Sequence, residues 1–183
     1  MKKNSTIRLT FIGIGIALNI IGAFIALILR LPILLDSIGT ILVAFLYGPL
    51  YGIVTGVLGS LISGFTYDIY SIYFSPVQII IGGIVGYLAK KDGFKGKKLF
   101  CNLLILTIPT GIVGAIIAYY LFDGVTSSGS SYLVQILTFL GFSKKFIIFL
   151  IQFITDYMDK FLAIKLIILV LKKLPSNIKE KVS

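Results

Sequence analysis

The sequence predicts an all-α integral membrane protein, a bundle of six transmembrane helices with both termini cytoplasmic. Three observations predict it. Of 183 residues, 57% are hydrophobic and only 13% charged, with a mean hydropathy of +1.04. A soluble domain of this length has too little interior to hide that much apolar surface. The apolar residues fall in runs near the roughly 20 residues that a helix needs to cross about 30 Å of hydrocarbon. Lysines gather at the ends of alternate runs, as orientation in a membrane requires.

The elements follow in order. The first helix runs from Leu9 to Leu29 and stops at Arg30-Leu31-Pro32; without a small-residue cleavage signature it reads as a retained helix rather than a signal peptide. A second run begins after Asp36 and ends at Tyr47-Gly48-Pro49. A third runs from Leu50 to Phe65. These two are short and tightly connected, so they form a helical hairpin with one leg tilted or partly unwound. A polar-aromatic stretch, Thr66 to Ser75, precedes a fourth helix from Pro76 to Ala89. A fifth runs from Leu99 to Phe122, followed by a Gly/Ser-rich loop from Asp123 to Ser131. The segment Tyr132 to Phe142 is too short to span and suits the membrane interface. The last helix runs from about Phe146 to Leu171.

With six crossings, Lys2, Lys3 and Arg8, the loop lysines Lys90, Lys91, Lys95, Lys97 and Lys98, and Lys172, Lys173, Lys179 and Lys181 share the cytoplasmic side. Arg30, Lys144 and Lys145 lie opposite. The net charge of +10 is therefore a membrane signal rather than a nucleic-acid footprint. Cys101 is the single cysteine and histidine is absent, which leaves no disulfide within the chain and no common metal-ligand set or cofactor site. No Walker loop, HExxH or GxSxG motif is present, so no enzymatic chemistry is expected.

Polar residues inside apolar runs carry the sharper signal, because hydrocarbon penalises them unless they pair or face a cavity. Gln152, Asp156 and Lys160 are spaced by four and share one face of the last helix, with Asp159 beside them. They form either a self-satisfied lock or the polar wall of a ligand cavity. Asn19 lies midway along the first helix, and Gln78 near the outer start of the fourth. Asp36 and Asp68 lie at outer helix ends, with Asp36 placed to cap. Tyr67, Tyr70, Tyr73 and Phe74 suit an interfacial belt or stacking surfaces for a planar ligand. Gly13 and Ala17, four apart, allow close helix approach, either within the bundle or against another membrane subunit. A pocket in the outer half of the bundle follows. Asn19, Asp68, Gln78 and Gln152 are its polar contacts, Asp156 and Lys160 its floor, Tyr70 and Tyr73 its stacking surfaces, and Arg30 to Asp36 its lid.

The stretch Tyr47-Gly48-Pro49-Leu50-Tyr51-Gly52, with Gly56 and Gly59-Ser60, resembles the turn between the second and third helices of the substrate-binding S components of energy-coupling factor (ECF) vitamin transporters. The Gly13–Ala17 pair resembles the alanine-x-x-x-alanine motif of their first helix, with glycine in the first place. Lys160 resembles a ligand-contacting lysine of riboflavin-binding members. Length, six helices and basic inner loops extend the likeness over the whole chain. The resemblance implies a multi-pass protein of the bacterial plasma membrane that binds a water-soluble vitamin or related planar compound, such as riboflavin, a pyrimidine or a nucleoside-like precursor. It further implies a transmembrane coupling subunit, docked through Gly13 and Ala17, and two cytoplasmic ATPase subunits. The competing expectation is a structural or sensory membrane module that transports nothing. A self-sufficient secondary transporter would need paired broken-helix halves, which the sequence does not show beyond its short second and third segments.

Overall fold

The computed structural model describes residues 2–173, so the expected cytoplasmic lysines Lys179 and Lys181 lie outside the described residues. Eight helices follow one another: α1 (Lys2–Ile28), α2 (Ile38–Tyr47), α3 (Pro49–Thr66), α4 (Tyr70–Tyr73), α5 (Ser75–Lys90), α6 (Lys98–Phe122), α7 (Ser130–Phe139) and α8 (Lys144–Lys173).

The shortest of the expected spans occupies the centre. α2 packs against α1, α3, α5 and α8. Its consecutive residues Gly39 to Ala44 are all buried. A helix that is apolar on every side belongs in an interior, and this one is surrounded. Ten residues rise about 15 Å, half the hydrocarbon thickness. α1, α3 and α6 are long and apolar enough to cross a membrane, whereas α2 and α5 are shorter. α8 has 30 residues but carries charge along its inner face.

Close approach of α1 to α2 rests on glycine. A Cβ added at Gly15 or Gly39 would collide, the latter meeting the Gly15 carbonyl oxygen at 1.8 Å. The buried stripe of α1 is thus Gly15, Asn19, Gly22 and Ala26, at helical spacing. Gly13 and Ala17 lie off it and are exposed, and a Cβ at Gly13 meets nothing within 4 Å.

The outer surface is apolar. On α8, Phe146, Leu150, Ile154, Met158, Leu162 and Leu166 recur every fourth residue and are all exposed. Such a continuous stripe is costly in water and suited to lipid. The opposite face buries Ile148, Asp156, Lys160, Ala163, Ile164 and Ile167. α7, too short to span, packs Val134 against α6 and α8 residues while Tyr132, Ile136 and Phe139 stay exposed.

Candidate functional site

At the end of the bundle where α1 meets α2 and α6 meets α7, three connections converge on one face of α8. A cavity lies between them. The first connection contributes Pro32, Ile33, Leu34 and Asp36; the second Asp68, Tyr70, Ser71 and Phe74; the third Thr126, Ser127 and Ser128, with Ser130 at the start of α7. α8 supplies Gln152, Thr155, Asp156 and Asp159 from one face. An adjoining cavity reaches α1 at Ala23, Ala26 and Leu27 and shares Asp36, Asp68 and Ser127 with the first.

The floor is an ion cluster. The Lys160 ammonium lies 3.1 Å from Asp156 Oδ1 and 2.8 Å from Asp159 Oδ2, and all three residues are at least 95% buried. Thr110 of α6 donates to Asp156 Oδ2 at 2.5 Å. Ser37 donates to Asp159 Oδ2 at 3.4 Å. Every charge in the cluster therefore has a partner, which a desolvated charge requires. Two carboxylates face one ammonium, so the cluster as a whole remains acidic.

The cover is two connections joined through their backbones. The Gly129 N–H donates to the Leu31 carbonyl at 3.1 Å. Only glycine permits this approach, because a Cβ there would lie 2.0 Å from the Arg30 carbonyl oxygen. Ser127 and Ser71 both donate to Asp68 Oδ2, at 2.9 and 3.1 Å, tying the third connection to the second. So covered, the cavity holds only about 40 Å³.

A second polar chain runs behind the wall. Gly39 N–H donates to Asn19 Oδ1 at 2.7 Å, and Asn19 Nδ2 donates to Thr40 Oγ1 at 2.8 Å. Thr40 donates to Gln78 Oε1 at 2.8 Å, and Gln78 Nε2 donates to Asp36 Oδ2 at 3.0 Å. Asp36 does not cap α2: its Oδ2 is held by Gln78, and Ser37 takes the N-cap place without a capping bond from its side chain. Asp36 Oδ1 is buried with no hydrogen-bond partner. Burial raises the Asp36 carboxyl to about 6, against the pull of the nearby Lys160 ammonium.

Of the residues singled out from the sequence, Asp68, Tyr70, Gln152 and Asp156 line the cavity. Asn19 and Gln78 lie in the chain behind it, and Lys160 beneath it. Tyr73 is 47% exposed and meets Phe122 edge-on, with ring centroids 5.3 Å apart. Tyr67 instead fastens α3 to α1, its hydroxyl donating to the Ile20 carbonyl at 3.0 Å. Asp159, Thr155, Ser71 and the serines of the third connection line the site without having been singled out as contacts. Asp159 was legible by its place beside Asp156; the serines read as loop composition. Among the described residues, no group of three or more His, Cys, Asp or Glu side chains is placed to hold a metal ion.

These features define a helical membrane protein with a loop-covered polar cavity at one end of its bundle. Residues 7–176 match the family model described as "ECF transporter, substrate-specific component", and the chain belongs to that family. Its members are substrate-binding membrane subunits that associate with an energy-coupling module. No curated protein and no solved structure matches the chain.

Proposed function

We propose that the chain captures a water-soluble, planar, vitamin-like compound from outside the cell in the cavity over Asp156 and Asp159. It hands that compound on through a transmembrane coupling subunit driven by two ATPase subunits. The observation that carries this is the convergence of three polar connections over the ion cluster of α8, in a chain whose family binds substrates. Six crossings, by α1, α2, α3, α5, α6 and α8, put both termini in the cytoplasm and the cavity outside. The lysines of residues 90–98 and Lys172 and Lys173 support that orientation.

Pockets for small ligands commonly enclose about 300–1,000 Å³. A cavity of about 40 Å³ is far smaller, so the covering connections part to admit the compound. The hinge is the contact between Gly129 and Leu31. Asp156, which lines the cavity, meets the ligand's polar edge. Lys160, which does not, holds the two carboxylates in place. Tyr70, braced edge-on by Phe122 at 4.7 Å, offers a flat face. Gly13 and Ala17, both exposed and with open space beside Gly13, form the docking face for the coupling subunit.

Native mass spectrometry of the gently purified chain tests the capture role. A bound compound of vitamin size, lost when Asp156→Asn is combined with Thr155→Val in a folded variant, is expected. A chain that purifies empty and gains no mass from a mixture of soluble vitamins would overturn it.

A further inference from the structure

We infer, on the basis of the ligand site proposed above, that the cavity selects an organic cation, a protonated amine or a positively charged heteroaromatic ring, over neutral and anionic compounds. The chain carries 17 Lys and Arg against 7 Asp and Glu. Yet four of those seven acids, Asp36, Asp68, Asp156 and Asp159, line this one cavity. No Lys or Arg lines it or the adjoining cavity. The nearby cations are engaged elsewhere: Lys160 is held beneath by two carboxylates, Arg30 lies over the Tyr132 ring, and Lys144 pairs with Asp123. Carboxylates gathered in a desolvated space repel one another, and a cation entering among them relieves that cost.

Hydrogen bonding points the same way. An anion needs donors, and three of the lining hydroxyls give theirs to the protein itself. Ser71 and Ser127 donate to Asp68, and Thr155 donates to the Ile151 carbonyl at 2.8 Å. Four carboxylates belong to the lining, and Asp36 Oδ1 among them is buried without a hydrogen-bond partner. Tyr70 and Phe74 add aromatic rings, which attract cations through their faces.

Three compounds with one ring and three charges isolate the property: 1-methylnicotinamide (cation), nicotinamide (neutral) and nicotinate (anion). Binding of each to the purified chain in lipid nanodiscs is measured by thermal shift and by saturation-transfer NMR at pH 7. The expected order has 1-methylnicotinamide tightest, by about tenfold over nicotinamide, with nicotinate weakest. The chain's net charge of +10 favours the anion, so a cation preference cannot come from the surface. Asp68→Asn and Asp36→Asn, each checked for an unchanged helical spectrum, are expected to cut the preference at least about threefold. Equal or tighter binding of nicotinamide or nicotinate overturns the inference while leaving a small-molecule site in place. A preference unchanged in both variants removes it from this cavity. Failure of all three compounds to bind at up to tens of millimolar overturns the site itself.

Discussion

Asp159 on α8 accepts the backbone N–H of Leu35 through Oδ1 at 2.8 Å, across 124 positions of sequence. Leu35 sits at φ 53°, a left-handed conformation that a branched residue rarely adopts unless its surroundings hold it there. Oδ2 of the same carboxylate receives the Lys160 ammonium at 2.8 Å. The cover of the cavity and the buried ion cluster are therefore one hydrogen-bonded unit.

Removing the ammonium strands two buried carboxylates. Lys160→Met is expected to cost about 3–5 kcal/mol of stability, since an uncompensated buried charge is left behind. Asp159→Asn keeps an amide oxygen for Leu35 and leaves Lys160 paired with Asp156, so about 1–3 kcal/mol is expected. Thermal unfolding in detergent ranks the two. A Lys160→Met protein as stable as the parent would show that the cluster does not hold the fold.

The cover depends on a missing side chain. Gly129→Ala drives a methyl group against the Arg30 carbonyl and separates the first connection from the third. Faster amide exchange in residues 29–36 is expected, with the α6 and α8 cores unchanged, because the contact is confined to the loops. Unaltered exchange there would mean the two connections close independently.

Acidity acts through Asp36. Its carboxyl titrates near 6 in the folded chain against an ordinary value of 3.8, so the folded state holds the proton more tightly. The stabilisation is fully present below about 4 and is lost as pH rises through about 6. Asp36→Asn keeps an acceptor for Gln78 and is expected to flatten this loss. The check is the difference in melting temperature between parent and variant from pH 4 to 7. A difference that does not change with pH would assign the titration to another group.

Docking and orientation are separable by substitution. Gly13→Leu with Ala17→Leu is expected to abolish copurification with the coupling subunit while preserving fold and ligand binding. Gly15→Leu should instead disrupt the bundle, since even a Cβ there lies 2.8 Å from the side chains of Thr55 and Val43. Loss of fold in the Gly13/Ala17 variant would make that face internal packing.

In a Cys101→Ser background, Ser128→Cys should label from outside intact cells and Gly96→Cys should not. The reverse pattern would invert the orientation.

Hydrophobic run length, the breaks at Pro32 and Gly48-Pro49, and the basic loop after α5 determined the helices and the membrane class by themselves, because lipid imposes its thickness and charge asymmetry on local sequence. The four-residue spacing of Gln152, Asp156 and Lys160 likewise put a polar face on α8. What only the tertiary structure decided was which polar groups face the cavity and which face each other. Asn19 and Gln78 are as polar as Gln152, yet Thr40 and Asp36 of neighbouring elements claim their hydrogen bonds. Lys160 lies on the same helical face as Asp156, but Asp159 draws it beneath the floor. Ser71 and Ser127 read as loop residues until folding brings both within 3.1 Å of Asp68. A buried polar group takes whichever partner the packing brings within reach; for Asn19, Gln78 and Ser127 that partner stands between 21 and 59 residues away in the chain.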